Sequence, residues 1–394
     1  MSELEFPFRT ASPHLPAQEF AELRRERPVC PVLLPTGARA WLVTRYADNR
    51  ALLGDQRFSR SAAAAAGAPR ARAIPLDDRS ITTLDGAEHA RLRSAVARGF
   101  TAHRMRAMRP AIERIVHRRL DEFAGRGRPA DLVSGFARPV ALDVLADLFG
   151  ITVGDRAEFA SQADAYLSVD AHSPEEMRAA VAHLRAMFEE LVRQRRSRPS
   201  GDLFSELVNA PEDQRPETGD LVSFGTTLLV AGYETVVAQI ANSVVVLLSH
   251  REQWELLRTR PELLDRAVEE LLRFAAISVS GGTLRVAADE AVLAGQRIRP
   301  GEAVQPSTSS ANRDPRIFAD PDRFDITRTE NPHIAFGHGI HYCLGANLAR
   351  LELRTAISAL ADRFPGLDLA VEETEIDWDR RKMIRRPHRL PLTW

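Results

Sequence analysis

The segment Phe336-Gly-His-Gly-Ile-His-Tyr-Cys-Leu-Gly345, continued by Ala-Asn-Leu-Ala-Arg350, gathers residue types that do chemistry. Three glycines in ten residues imply a tight loop whose backbone closely approaches something. Cys343 stands just before a helix, whose free N–H groups and positive dipole end stabilise a thiolate. Spacing alone leaves three readings open. One is a buried thiol in a turn. Another is a transition-metal site built from His338, His341 and Cys343, although zinc usually wants four ligands and no second cysteine lies nearby. The third is a cysteine axial ligand to a haem iron.

Other candidates lie upstream. Ala231-Gly-Tyr-Glu-Thr235 puts a glycine and an acid inside an apolar helical stretch, where both are costly. Glu270 and Arg273 are three apart and share a helix face, but such pairs are usually solvated surface contacts. His89 and Arg93, four apart, also share a face.

The elements that must hold these residues are mostly helical. Segments 87–98, 105–124, 136–149, 155–170, 175–196, 220–249 and 251–272 carry apolar residues at three and four spacing, punctuated by Pro129, Gly150, Pro174, Pro199, Pro211 and Pro261. Residues 1–35 read as a Pro-rich arm, and Trp41–Thr44 as a strand followed by a helix. Residues 59–80 read as a surface loop or a substrate-gating loop. Strands are expected at Thr283–Val286 and Glu290–Leu293 with a Gly295 turn, then a structured loop over 311–342 and a last helix from about Leu344 to Phe364.

Composition sets the limits. The chain has 394 residues, 44% hydrophobic and 27% charged, which is ordinary globular composition. Length alone leans toward two or three domains, but no flexible linker or internal repeat is visible. A net charge of −1 offers no global basic excess for nucleic acid or an anionic membrane. Two cysteines make no disulfide framework. Phe224–Ser249 is interrupted by Glu234, Gln239 and Asn242 and reads as a buried core helix, not a membrane span. With no signal peptide apparent at the start, a cytoplasmic protein is expected.

The cysteine segment resembles the haem-binding loop of the cytochrome P-450 family, Phe-Gly-x-Gly-x-His-x-Cys-x-Gly, with every fixed position filled. The resemblance covers nearly the whole chain. It implies a mainly α fold with small β regions, a single haem-centred domain over 1–394. Residues 1–80 would form the N-terminal β and loop region, 81–275 the helical part with an oxygen-binding helix at 220–249, and 276–394 the β region, the haem loop 336–345 and the final helix. The implied cofactor is haem b (iron protoporphyrin IX). Cys343 would be its thiolate metal ligand, Phe336 would shield the sulfur, and Gly345 would let the helix approach the haem face. His89, Arg93, Arg285 and His341 correspond to the family's propionate clamp; arginine suits that task because its fork binds a carboxylate in bidentate fashion. Thr235 would hydrogen-bond back toward residue 231 and open the helix for dioxygen, and Glu234 and Thr235 would relay protons. Glu270 and Arg273 would form a buried ion network completed by Arg323. Thr227, Val230, Ala231, Ala276, Val279, Gly281, Met383 and Ile384 correspond to substrate-lining positions. The chain departs from the common residues at Tyr233, Val236 and Asn347.

The same resemblance implies oxidation of a small organic molecule, of secondary-metabolite type, with dioxygen and two electrons. Motifs fill the chain from residue 85 to 350, so electrons are expected from a separate ferredoxin and its reductase, docking near Arg91, Arg98, Arg104, Arg350 and Arg354. A non-catalytic haem sensor or carrier and a non-haem Cys/His metal or thiol enzyme are the alternatives.

Overall fold

The structure, a computed structural model, describes residues 4–8, 10, 16–71, 77, 79–152, 154–167, 173–278, 281–378 and 384–394. Its helices are α1 (Glu19–Glu26), α2 (Tyr46–Gly54), α3 (Arg60–Ala64), α4 (Gly86–Ala97), α5 (Ala102–Ala124), α6 (Arg138–Phe149), α7 (Arg156–Leu167), α8 (Pro174–Ser197), α9 (Leu203–Val208), α10 (Thr218–Ser249), α11 (Arg251–Thr259), α12 (Leu264–Phe274), α13 (Thr308–Ala311) and α14 (Ala346–Arg363). The strands are short: β1 (Leu4–Glu5), β2 (Val29–Leu33), β3 (Arg39–Val43), β4 (Phe58–Ser59), β5 (Ala130–Asp131), β6 (Arg285–Ala287), β7 (Ala291–Leu293), β8 (Gln296–Ile298), β9 (Ala303–Pro306), β10 (Asp368–Leu369) and β11 (Pro391–Thr393).

The axis of the molecule is α10, 32 residues long and apolar on nearly every side. A helix of that kind must be buried all round. It is long and apolar enough to cross a membrane, yet 72% of its apolar window is buried inside the protein. Helices α6, α8 and α14 pack along it, and α5 bridges α6 and α14. The main sheet has the order β1-β2-β3-β9-β6-β4. It covers a second apolar cluster containing Phe6, Phe20, Val32, Leu42 and Cys30, so Cys30 is a structural residue of a strand core.

Several expectations change. The Pro-rich arm contains a helix and two strands, because Phe20, Leu23, Cys30 and Val32 supply an inward face. The expected helix 251–272 is broken at Pro261, where Arg260 is forced out of helical geometry. The short helix α9 escaped notice; six residues are too few to show a period. Residues 59–80 are partly built. Ser59 ends β4 and α3 follows it. Farther along, Asp77 accepts from Ser223 at 2.9 Å and Ser80 meets Thr227 at 3.0 Å, fastening that segment to α10. Residues 72–76 and 78 lie outside the described residues. The Gly295 turn is as expected, a two-residue hairpin with positive φ at Ala294 and Gly295.

The ion network also differs. Glu270 and Arg273 are both 0% exposed and pair in bidentate fashion, both contacts at 2.7 Å. Glu270 also accepts from Asn331 at 3.1 Å and from the Asp325 amide at 3.1 Å, and Arg328 Nε forms an ion pair with it at 3.2 Å. Arg323 contributes only its carbonyl, to Arg273, while its side chain is 67% exposed near Asp325. The turn presents its Pro321 and Arg323 carbonyls inward, which sends the Arg323 side chain to solvent. The buried third partner is therefore Arg328.

Candidate active site

One stripe of α10 breaks its burial. Thr227, Val230, Ala231, Glu234 and Thr235 are partly or fully exposed amid buried neighbours, Val230 at 36%. Their three- and four-residue spacing places them on a single face. A core helix with one bare face lines a space. Thr235 Oγ1 donates to the Ala231 carbonyl at 2.5 Å, as expected, but α10 continues unbroken, so this bond does not open the helix. Tyr233 points to the opposite side, donating to Asp164 at 3.0 Å. Burial pushes its phenol well above the usual range.

Glu234 is not free. Its carboxylate accepts from Arg386 Nε at 3.1 Å. Arg386 is fully buried, donates to the Pro387 carbonyl, and has a second buried nitrogen, Nη2, with no partner among the described residues. The preceding Arg385 carbonyl accepts from Asn242 of α10 at 2.9 Å, so the C-terminal turn grips the helix at two points two turns apart.

The cysteine loop is closed by the Cys343 amide donating to the Phe336 carbonyl at 2.9 Å. Gly337 and Gly339 take positive φ, and a Cβ at Gly339 would lie 2.4 Å from the Leu53 carbonyl oxygen. Beside Gly345 the space is open, with nothing within 4 Å of a Cβ. Burial pushes the Cys343 thiol up; the Gly345 amide and the Arg93 and Arg350 guanidinium groups act against it. A coordinated metal ion removes that proton outright. Arg350 lies 4.7 Å over the Phe336 ring and grips Glu269 at 2.7 and 2.9 Å. His333 meets the same carboxylate at 3.0 Å, so the loop is tied to α12 and α14 together.

The expected clamp residues gather. His89 and His341 have ring centroids 4.3 Å apart. His341 donates to Asp85 at 3.1 Å. Asp85 also accepts from Ser59 Oγ at 2.7 Å and from the Arg60 and Ser61 amides at 2.7 and 2.9 Å. Burial works to raise the Asp85 carboxyl, but these donors outweigh it and hold it well below the usual carboxylate range. Burial first, then His341 and Arg93, press His89 down to about 4. His89 Nε2 and Arg285 Nε are buried without partners among the described residues. Buried polar atoms are rarely left unpaired, so this pocket fits a group bearing carboxylates. His338 and Cys343 join no shared metal site: no group of three ligating side chains is placed to hold a metal ion among the described residues.

On the expected substrate side, Ser278 bridges Ile384, and the Arg385 amide donates to Ile277, so 276–278 and 384–385 run side by side. Ala276 is partly buried beside this pairing. Gly281 has φ +77 and packs so tightly that a Cβ would lie 2.7 Å from the Thr308 amide nitrogen. Val279 and Met383 lie outside the described residues. Of the docking arginines, Arg104 is largely covered and bound to Glu206, which makes it a brace between α5 and α9. Sequence reasoning assigned nothing to Asp85, Arg60 or Arg386. Asp85 had a legible signal, an acid at a helix N-cap. Arg386 had none, as it stands in an arginine-rich stretch without periodicity.

A bare stripe on a core helix, a glycine-shaped cysteine loop and a carboxylate-seeking cation pocket define a haem-thiolate class of protein. Comparison agrees. Residues 13–387 match the family model described as Cytochrome P450. The chain is 45% identical over 376 residues to nocardicin C N-oxygenase of Nocardia uniformis subsp. tsuyamanensis, covering 95% of this chain and 94% of that protein. It is 40% identical over 390 residues to mycinamicin IV hydroxylase/epoxidase of Micromonospora griseorubida, covering 99% and 98%. Among solved structures, the LnmA cytochrome P450 hydroxylase from the leinamycin biosynthetic pathway of Streptomyces atroolivaceus superposes with a TM-score of 0.93 at 45% identity, covering 99% of this chain and all (100%) of that one. The chain belongs to the cytochrome P450 family. It is a haem-b-dependent monooxygenase of small molecules that uses dioxygen and external electrons.

Proposed function

We propose that the chain oxidises a bacterial secondary metabolite in the cytoplasm, with electrons from a separate ferredoxin and its reductase. The bare face of α10 carries this reading, since a helix buried everywhere else keeps one stripe uncovered. The relatives act, by their names, as a nocardicin C N-oxygenase and a mycinamicin IV hydroxylase/epoxidase, and the solved hydroxylase belongs to the leinamycin biosynthetic pathway, which supports a tailoring role.

Cys343 would hold the iron of a bound haem, with Phe336 and Arg350 beside its sulfur, and His89, Arg93, Arg285 and His341 would hold the propionates. Haem, when bound, supplies the iron centre at which dioxygen is activated through thiolate electron donation. Thr235 keeps its hydroxyl at the bare face by donating to Ala231, and Glu234, held by Arg386, supplies a fixed acid one residue away. Together they deliver protons at one place and not along the whole cavity. Thr227, Val230, Ala231, Ala276, Val279, Gly281, Met383 and Ile384 shape the substrate space. Arg91, Arg98, Arg350 and Arg354 form the ferredoxin-facing charge.

Cys343→Ser is expected to abolish the thiolate-type spectrum of the reduced carbon monoxide complex; an unchanged spectrum refutes the ligand assignment. Product formation with ferredoxin and reductase separates an enzyme from a haem carrier, and a ferric spin-state shift across secondary metabolites identifies the substrate class.

A further inference from the structure

Strand β4 pairs antiparallel with β6 in the register Phe58↔Ala287 and Ser59↔Val286. The next residue, Arg60, opens α3, and Arg285 precedes Val286 on the neighbouring strand. The two guanidinium groups are near enough to repel each other. Arg285 is almost wholly buried; one nitrogen donates to the Phe58 carbonyl at 3.0 Å and its Nε has no partner among the described residues. The Arg60 guanidinium has no hydrogen-bond or ion-pair partner among the described residues. Burial and the nearby Arg285 press it down to about 9, with Asp85 alone opposing. An arginine keeps its proton far above physiological pH, so this is a positive charge awaiting an anion.

Asp85 does not fill that place. Its Oδ2 takes the backbone amides of Arg60 and Ser61 and the Ser59 hydroxyl, and its Oδ1 takes His341. It anchors the turn that carries Arg60 and leaves the guanidinium uncovered. Asp85 holds both the Arg60 amide and His341, whose ring lies 4.3 Å from that of His89, so these groups border one space. Arg60 and Arg285 both feel the Asp85 carboxylate, while Arg93 lies toward Cys343 and the Tyr342 carbonyl. Two guanidinium groups set against one carboxylate leave this end of the pocket positive, which suits a group bearing carboxylates.

We propose that Arg60 is a third guanidinium of the propionate site, supplied by the first residue of α3 and positioned by Asp85. It lies outside the His-x-x-x-Arg pattern of α4, and the inference rests on haem occupying the site as proposed above. Arg60 thereby couples cofactor retention to the β4–α3 turn, beside the segment that reaches α10.

The test is haem transfer from the ferric protein to an excess of a haem-scavenging apoglobin, for wild type, Arg60→Gln and Arg60→Lys. Loss of a charge-assisted hydrogen bond is expected to speed haem release about tenfold or more in Arg60→Gln, with a smaller effect in Arg60→Lys. Repeating the measurement with haem dimethyl ester, whose propionates carry no charge, is expected to erase the difference between wild type and Arg60→Gln. Equal release rates with natural haem overturn the proposal, as does a difference that persists with the ester. An effect confined to binding of carboxylate-bearing substrates, with haem release unchanged, assigns Arg60 to the substrate instead and also overturns it. Should Arg60→Gln fail to fold, wild-type release of haem against its monoesters and dimethyl ester, compared with Arg60→Lys, decides the same question. A wild-type chain that takes up haem with a thiolate-type spectrum upholds the underlying reading whatever Arg60 does, and one that takes up none overturns both.

Discussion

Arg386 Nε lies 3.1 Å from a Glu234 carboxylate oxygen, joining the C-terminal turn to the middle of the core helix. The guanidinium is fully buried while the carboxylate keeps partial access to the space at α10. The acid beside Thr235 is thus held in place from outside its own helix. A buried charge that loses its partner destabilises by about 3–5 kcal/mol, whereas removing both partners costs far less. Glu234→Gln is therefore expected to lower stability more than a Glu234→Gln/Arg386→Leu double variant, measured by denaturant unfolding. In turnover, Arg386→Gln is expected to divert electrons from product to peroxide, leaving haem content intact. General acid contributions are worth about 10²–10⁴-fold, so product formation should fall by at least about tenfold. Unchanged coupling would show that Arg386 does not position the acid.

The buried network gives a contrast between two arginines close in sequence. Arg328→Ala removes an ion-pair partner from a fully buried carboxylate, and Glu270→Ala leaves Arg273 without its charge partner. Glu270→Ala is expected to cost about 3–5 kcal/mol and to yield little folded protein. Arg323→Ala, by contrast, is expected to stay within about 0.5 kcal/mol of wild type, because its side chain projects to solvent. Comparable losses at 270 and 323 would contradict the arrangement.

Acid sensitivity should track Glu269. Burial works to raise its carboxyl, but His333 and Arg350 overcome that and draw it from 4.5 to about 2. A depressed acid contributes stability that is full above about 4.5 and is lost as pH falls toward about 2. Glu269→Gln is expected to be less stable than wild type near neutral pH, with the gap closing as pH drops through that window. Denaturant midpoints at a series of pH values check this, and a gap independent of pH would refute it.

Two glycines with similar φ separate backbone strain from crowding. Gly295 has φ +81 and open space at its Cβ position, whereas Gly339 has φ +74 with the Leu53 carbonyl oxygen 2.4 Å away. Gly295→Ala is expected to cost about 1–2 kcal/mol, the ordinary left-handed penalty. Gly339→Ala is expected to cost more and to weaken haem retention, because α2 must shift away from the cysteine loop. Haem content on purification and unfolding midpoints distinguish the two.

Much of the site was legible because its motifs are local. The loop 336–345 spaces Gly337, Gly339, His341 and Cys343 along one turn of chain, and Glu234 and Thr235 are neighbours on a helix whose apolar run announces burial. His89 and Arg93 share a face by the geometry of the helix alone. Helix positions followed from the same periodicity. The misses had no period to show: α9 is too short, and the chain at Pro261 breaks for a reason that only marks a boundary.

The sequence by itself determined the mainly α fold, the cysteine loop and the acid–alcohol pair, since each depends on residues within a few positions of one another. Tertiary structure decided the partners. Which arginine reaches Glu270, which one holds Glu234, and which one comes near Arg285 depend on side chains meeting from distant elements. A long, flexible arginine carries no local signature of where its charge will settle. In a chain whose 53 basic residues are nearly all arginine, only packing, through burial and the turning of backbone carbonyls inward, selects Arg328, Arg386 and Arg60 from the rest.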